Sequence, residues 1–231
     1  ADGLPSTNAL NRLVDVENLS VVVICHDPDE WLSRLDGRLR RRLSFTDFGL
    51  DRYSVDELAD ILEARANLGL PSESVTRGQL ETIADEVAGV ARNGIQALRQ
   101  AALRAEELQH DRITGEDVSE SFERAKRHIR ELNLDSLPFH HQLLYELIRM
   151  GDGLEAGELH NQYEDVANEA YHGHEQTPIS ERARRMKLSK LESYELIEVE
   201  GENRHRTYKV CDRRIESTVL TRLLKPPEKC N

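Results

Sequence analysis

The sequence predicts a mainly α-helical chain with an α/β remnant at its start. Three observations predict it. Residues 51–135 repeat the apolar spacing of helices behind capping residues. Leu19-Ser20-Val21-Val22-Val23-Ile24-Cys25 is a continuous β-branched run, the pattern of a strand buried on both faces of a parallel sheet. Residues 178–210 read as a basic helix followed at once by a hairpin with a charged tip.

Taken in order, Thr7–Val14 has Leu10, Leu13 and Val14 on one side of a short helix. The run 19–25 follows. With no comparable strand before the C-terminal hairpin, it reads as the back end of an α/β domain. The run stops at His26-Asp27-Pro28, where the polar end of a parallel strand places ligand-facing groups. Pro28 opens the next segment, Trp31–Leu35. A basic cluster, Arg38, Arg40, Arg41 and Arg42, then reads as a short loop or turn whose arginines can reach a phosphate or stay in water.

Four helices are expected next. Ser54 and Glu57 form a capping box before Leu58, Ile61 and Leu62, and Gly69-Leu70-Pro71 ends that helix. Leu80, Ile83, Ala84 and Val87 mark the second, Ile95, Leu98, Ala102 and Leu103 the third. Thr114, with Asp117 three residues on, caps a fourth containing Val118, Phe122 and Ile129. Short connections make these a small bundle.

Leu137-Pro138 marks a boundary. Phe139–Met150 and Glu155–Tyr171 are the first two helices of the last domain, and His172-Gly173-His174 stops the second. His160, His172 and His174 lack a metal-ligand spacing. Ser180 is an N-cap, and Ile179, Ala183, Met186, Leu188 and Leu191 are the expected inner face of the third helix. Glu198–Glu200 and Arg206–Val210 flank the turn 201–205. A basic helix followed by a basic-tipped hairpin is the pattern of a winged helix, whose helix enters the major groove while the wing meets the backbone. Ser180, Arg182, Arg184, Arg185, Lys187 and Lys190 are the expected helix contacts, and Arg204, His205 and Arg206 the wing contacts. Ile215–Leu224 reads as a closing helix.

The formal net charge is −12, which looks wrong for a DNA binder until it is divided. Residues 178–231 hold 13 Lys+Arg against 9 Asp+Glu, whereas residues 1–177 hold 18 against 34. Any nucleic-acid contact is therefore expected in the C-terminal part. Only 6 of the 31 basic residues are Lys, and so acidic and Lys-poor a chain suits a high-salt cytoplasm. Salt weakens phosphate contacts steeply, so a binder working there needs base or shape contacts as well. Cys25, Cys211 and Cys230 have neither disulfide nor metal spacing and fit a reducing compartment. No apolar run reaches the roughly 20 residues of a membrane span, so no membrane partner is expected.

The order of these elements resembles the archaeal origin-recognition (Orc/Cdc-type) replication initiators, which are AAA+ ATPases. The resemblance covers nearly the whole chain. It implies a partial AAA+ core over 1–50, a helical lid over 51–135 and a winged-helix DNA-binding domain over 136–231. It also implies nucleotide-sensing candidates. His26 stands where the family has a polar sensor, commonly Asn. Arg38 lies in Leu35-Asp36-Gly37-Arg38-Leu39, like the family's arginine-finger pattern L-D-x-R-V. Arg92 lies in Gly89-Val90-Ala91-Arg92, like the second-sensor pattern G-D-A-R.

The phosphate-binding loop G-x-x-x-x-G-K-[ST] does not occur, and there is no Gly-Lys pair anywhere. ATP or ADP with Mg belongs to the parent family; neither cofactor nor autonomous ATPase activity is expected of this chain alone. The expected partner is double-stranded DNA, with other initiator subunits and the replicative helicase as further partners implied by the resemblance. Two rival functions remain at this stage. One is a winged-helix transcription regulator whose helical part dimerises. The other is an ATPase fragment active only with its missing N-terminal half.

Overall fold

The structure is a computed structural model that describes residues 8–13, 16–25, 27–42, 46, 48–151, 153–201 and 205–217. The chain divides into two compact units, residues 1–51 and 52–231.

In the first unit, three short helices are described: α1 (Asn8–Leu13), α2 (Pro28–Ser33) and α3 (Gly37–Arg42). Asp27 caps α2 by accepting the Glu30 N–H at 2.9 Å, with Pro28 at the first helical position, where no N–H is needed. Asp36 does the same for α3, accepting the N–H groups of Arg38 and Leu39 at 2.9 and 2.8 Å. The Leu39 N–H leads the hydrogen bonds that hold the Asp36 carboxyl below the usual carboxylate range. Leu10, Trp31, Leu35 and Leu39 form a small core.

This unit corrects two expectations. The run 19–25 forms no strand, and Val22 and Ile24 are 87% and 79% exposed. No second strand lies among the described residues of this unit, so the expected α/β core has no sheet among them. The arginines expected on a loop lie instead on α3, because Asp36 caps the Gly37–Arg42 turn.

The second unit has two hydrophobic cores. The first joins α4 (Val55–Gly69), α5 (Arg77–Glu86), α6 (Ala91–Glu107) and the first half of α7 (Gly115–Asp135) through Leu58, Leu62, Leu80, Ile83, Leu98 and Val118. Reciprocal capping boxes start three of these helices: Ser54/Glu57, Thr76/Gln79 and Thr114/Asp117. Gly89, at φ +75°, precedes α6. A Cβ there would stand 2.2 Å from the Tyr53 carbonyl oxygen, so only glycine lets the two loops meet.

The second core joins α8 (Phe139–Gly151), α9 (Ala156–Ala170), α10 (Glu181–Ser193) and a three-stranded antiparallel sheet. The strands are β1 (Leu154–Glu155), β2 (Ile197–Glu200) and β3 (Thr207–Val210), in the order β1-β3-β2. Leu154 faces Tyr208, and Ile197 faces Val210. Gly201, at φ +79°, turns the β2–β3 hairpin; a Cβ there would stand 2.4 Å from the His205 carbonyl oxygen. Leu143, Leu144, Ile148, Leu159, Tyr163, Leu188 and Leu191 fill the centre. The expected closing helix 215–224 does not begin at Ile215–Ser217; the rest lies outside the described residues.

The helix α7 serves both cores. Val118 and Ala125 pack in the first and Leu134 in the second. Arg127, between them, donates to Asp212 just beyond β3 at 3.2 Å.

A candidate nucleic-acid interface

Ser180 caps α10, its hydroxyl accepting the Ala183 N–H at 3.4 Å. From there the helix has two faces. Arg184, Leu188 and Leu191, spaced i, i+4 and i+7, are buried. Arg182, Arg185, Met186 and Ser189, spaced i, i+3, i+4 and i+7, are exposed.

Two expectations fail on this helix. Met186, expected on the inner face, is 67% exposed. Arg184, expected on the outer face, is 3% exposed. Its Nη1 lies 2.6 Å from Glu164 Oε1 and donates to the Ile179 carbonyl at 3.3 Å, and its guanidinium carbon lies 4.4 Å from the centre of the Tyr163 ring. A buried cation needs a carboxylate, a carbonyl or an aromatic face, and Arg184 has all three. It is therefore not a surface contact. The sequence signal was its phase: it falls on the same stripe as Leu188 and Leu191.

The turn into α10 is held by a chain of hydrogen bonds. The Ile179 N–H donates to the Tyr163 hydroxyl at 3.1 Å, Tyr163 donates to the Tyr171 hydroxyl at 2.8 Å, and the Tyr171 hydroxyl and His140 Nδ1 share a hydrogen bond at 2.7 Å. Burial, with Lys187 nearby, lowers the pKa of His140 and favours its neutral ring. Burial raises the Tyr171 pKa, keeping that hydroxyl a donor.

The remaining basic residues stand as follows. Arg182 is exposed; Arg185 is exposed and pairs with Glu181 one turn back. Lys187 is half-buried. Lys190 is exposed, its Nζ 4.0 Å from the centre of the Tyr194 ring. His205 and Arg206 are exposed at the entry to β3, and the Arg206 carbonyl accepts the Ala156 N–H at 2.9 Å, tying the hairpin to the start of α9. Arg204 and His26 lie outside the described residues. The strand β1, which sequence reading missed, is two residues long and is set by pairing with β3 rather than by its own pattern.

The two described nucleotide-sensing candidates sit in different units. Arg38 is exposed on α3, and Arg92 is exposed on the first turn of α6 with its Nη2 donating to Asn133 Oδ1 at 3.0 Å. Each is an exposed cation on a helix. The Gly-Lys loop that holds the β- and γ-phosphates does not accompany them in the sequence. Among the described residues no group of three or more His, Cys, Asp or Glu side chains is placed to hold a metal ion. No helix among them is long and apolar enough to cross a membrane.

Residues 59–123 match the Cdc6 AAA+ ATPase-type lid domain, a span covering most of the first core. The chain is 33% identical over 212 residues to ORC1-type DNA replication protein 9 of Halobacterium salinarum, covering 91% of this chain and 58% of that protein. It is 29% identical over 163 residues to ORC1-type DNA replication protein 1 of the same organism, covering 70% of this chain and 53% of the relative. The chain thus spans about half the length of the curated relatives it matches. Its fold is similar to that of the Aeropyrum pernix ORC1 protein solved in complex with DNA, with a TM-score of 0.61 at 21% identity, over 84% of this chain and 53% of that one. By its lid and its relatives, the chain is similar over most of its length to the archaeal Orc/Cdc6-type AAA+ initiators.

Proposed function

We propose that this chain acts in the initiation of DNA replication by binding duplex DNA through residues 136–231, used as a winged helix. In this reading α8, α9 and α10 are the three helices, β1 to β3 the sheet and the β2–β3 hairpin the wing. Residues 51–135 are the lid, and residues 1–50 the remnant of the AAA+ core. The helix α10 enters the major groove, and Arg204, His205 and Arg206 meet the phosphates.

One observation carries the reading. The exposed face of α10 displays Arg182 and Arg185 in the part of the sequence that is net positive, while the arginine the fold needs, Arg184, is turned inward. Ser180 sits at the positive end of the helix dipole, where its N-terminal turn favours a phosphate. The relatives named as ORC1-type replication proteins support the biological setting.

The test is fluorescence anisotropy of a labelled duplex with the whole chain, at several salt concentrations. Arg206→Ala should weaken binding to every sequence and lower the salt slope by about one. Arg185→Ala should cost about 1–3 kcal/mol on a preferred site and much less on random DNA, the signature of base contact. No affinity even at low salt, or variants that bind like wild type, would sink the reading.

A further inference from the structure

On the premise that α10 enters the major groove, we infer that Met186 is its apolar reader, seated against the C5-methyl group of a thymine. A single exposed apolar side chain is ordinary on a protein surface. Its position on α10 is not. The outer stripe of α10 is Arg182, Arg185, Met186 and Ser189, and Met186 is the one large apolar group among them. It lies on the side opposite the buried stripe Arg184, Leu188 and Leu191, so it contributes nothing to the core. Its neighbours on the stripe are two guanidinium groups able to donate to guanine or phosphate, and a hydroxyl.

The chemistry of the groove supplies the complement. The thymine methyl is the apolar group on the major-groove edge of the base pairs, and an unbranched thioether adapts to a shallow apolar spot. The contact also suits the composition of the chain. In a chain carrying −12, a composition suited to high salt, phosphate contacts are weakened by that salt. An apolar contact releases no counterions, so salt leaves its discrimination in place.

The experiment uses the whole chain. Short random duplexes are enriched on the wild-type protein, and the enriched pool is copied with either thymine or uracil, which lacks only the methyl group. Wild type should bind the thymine pool about fourfold more tightly, the weight of one buried methyl. The ratio should hold as salt rises. Met186→Ala should bind both pools alike with an unchanged circular dichroism spectrum, since the residue is exposed. Arg206→Ala should weaken both pools equally and keep the ratio. Equal binding of the two pools by wild type overturns the inference, as does a Met186→Ala variant that keeps the preference. So does a variant altered only in self-association on a sizing column, which would make Met186 a protein contact. Failure to enrich any duplex at low salt is a distinct result: it removes the DNA-binding reading and this inference with it.

Discussion

Arg184 and Glu164 join α10 to α9 through a 2.6 Å contact between Nη1 and Oε1, with the arginine buried and the carboxylate side chain largely in water. The pair is therefore asymmetric. Removing the arginine takes packing away from Tyr163 and leaves an exposed carboxylate. Removing the carboxylate leaves a buried cation with only the Ile179 carbonyl and the Tyr163 ring. Arg184→Ala should cost about 2–3 kcal/mol in denaturant unfolding, and Glu164→Ala about 1–3 kcal/mol. At temperatures where the variants stay folded, Arg184→Ala should lose less DNA affinity than Arg185→Ala. The opposite order would put Arg184 at the interface after all.

Leu144 and Leu147 are buried in the second core on the inner side of α8. Either residue changed to Ala should destabilise by about 2–5 kcal/mol in chemical denaturation. A change below about 0.5 kcal/mol, typical of surface positions, would contradict the packing described.

His141 gives stability a pH dependence. Burial, then Lys187, lowers its pKa to about 4, and its Nδ1 has no hydrogen-bond partner. The unfolded residue takes up a proton near pH 6.5, the folded one only near 4, so the unfolded chain binds more protons between those values. Stability from this site is complete above about pH 6.5 and falls by about 2–3 kcal/mol as pH drops to about 4. Denaturant midpoints of wild type and His141→Gln across that range should differ in slope, the variant being flatter.

Asp117 is wholly buried and organises the start of α7. Burial alone would raise its pKa. Hydrogen bonds from the Thr114 N–H at 2.8 Å, His110 at 2.9 Å, the Thr114 hydroxyl at 2.7 Å and Arg104 outweigh burial and hold the carboxyl well below its usual range. Its stabilisation is present above the unfolded value near 3.9 and is lost as pH falls below it. Asp117→Asn should cost about 3 kcal/mol near neutral pH, read as a lower denaturant midpoint, and the deficit should shrink in acid.

What the sequence disclosed depends on how local the cause was. The boxes at Ser54/Glu57 and Thr114/Asp117 involve residues three apart, and both formed where the sequence placed them. The hairpin was legible because its turn and both strands are contiguous. The inward turn of Arg184 was misread although its phase matches Leu188 and Leu191, because an arginine is expected outside until Glu164 and Tyr163, some twenty residues away, are seen beside it. The run 19–25 has strand composition but no strand to pair with among the described residues, so composition misled. On α10, sequence named most of the exposed cations but put Met186 on the wrong side.

The double service of α7 has a mechanical consequence. Twenty-one residues at 1.5 Å per residue make a strut of about 31 Å. One end is set in the first core and the other in the second, with Arg127 braced against Asp212 between them. A loop at that junction would let one bundle swivel without disturbing the other. A helix resists this, because a sharp kink breaks its own backbone hydrogen bonds. Torque applied to the four-helix bundle is therefore delivered, turn for turn, to the base of the hairpin and the helix beside it.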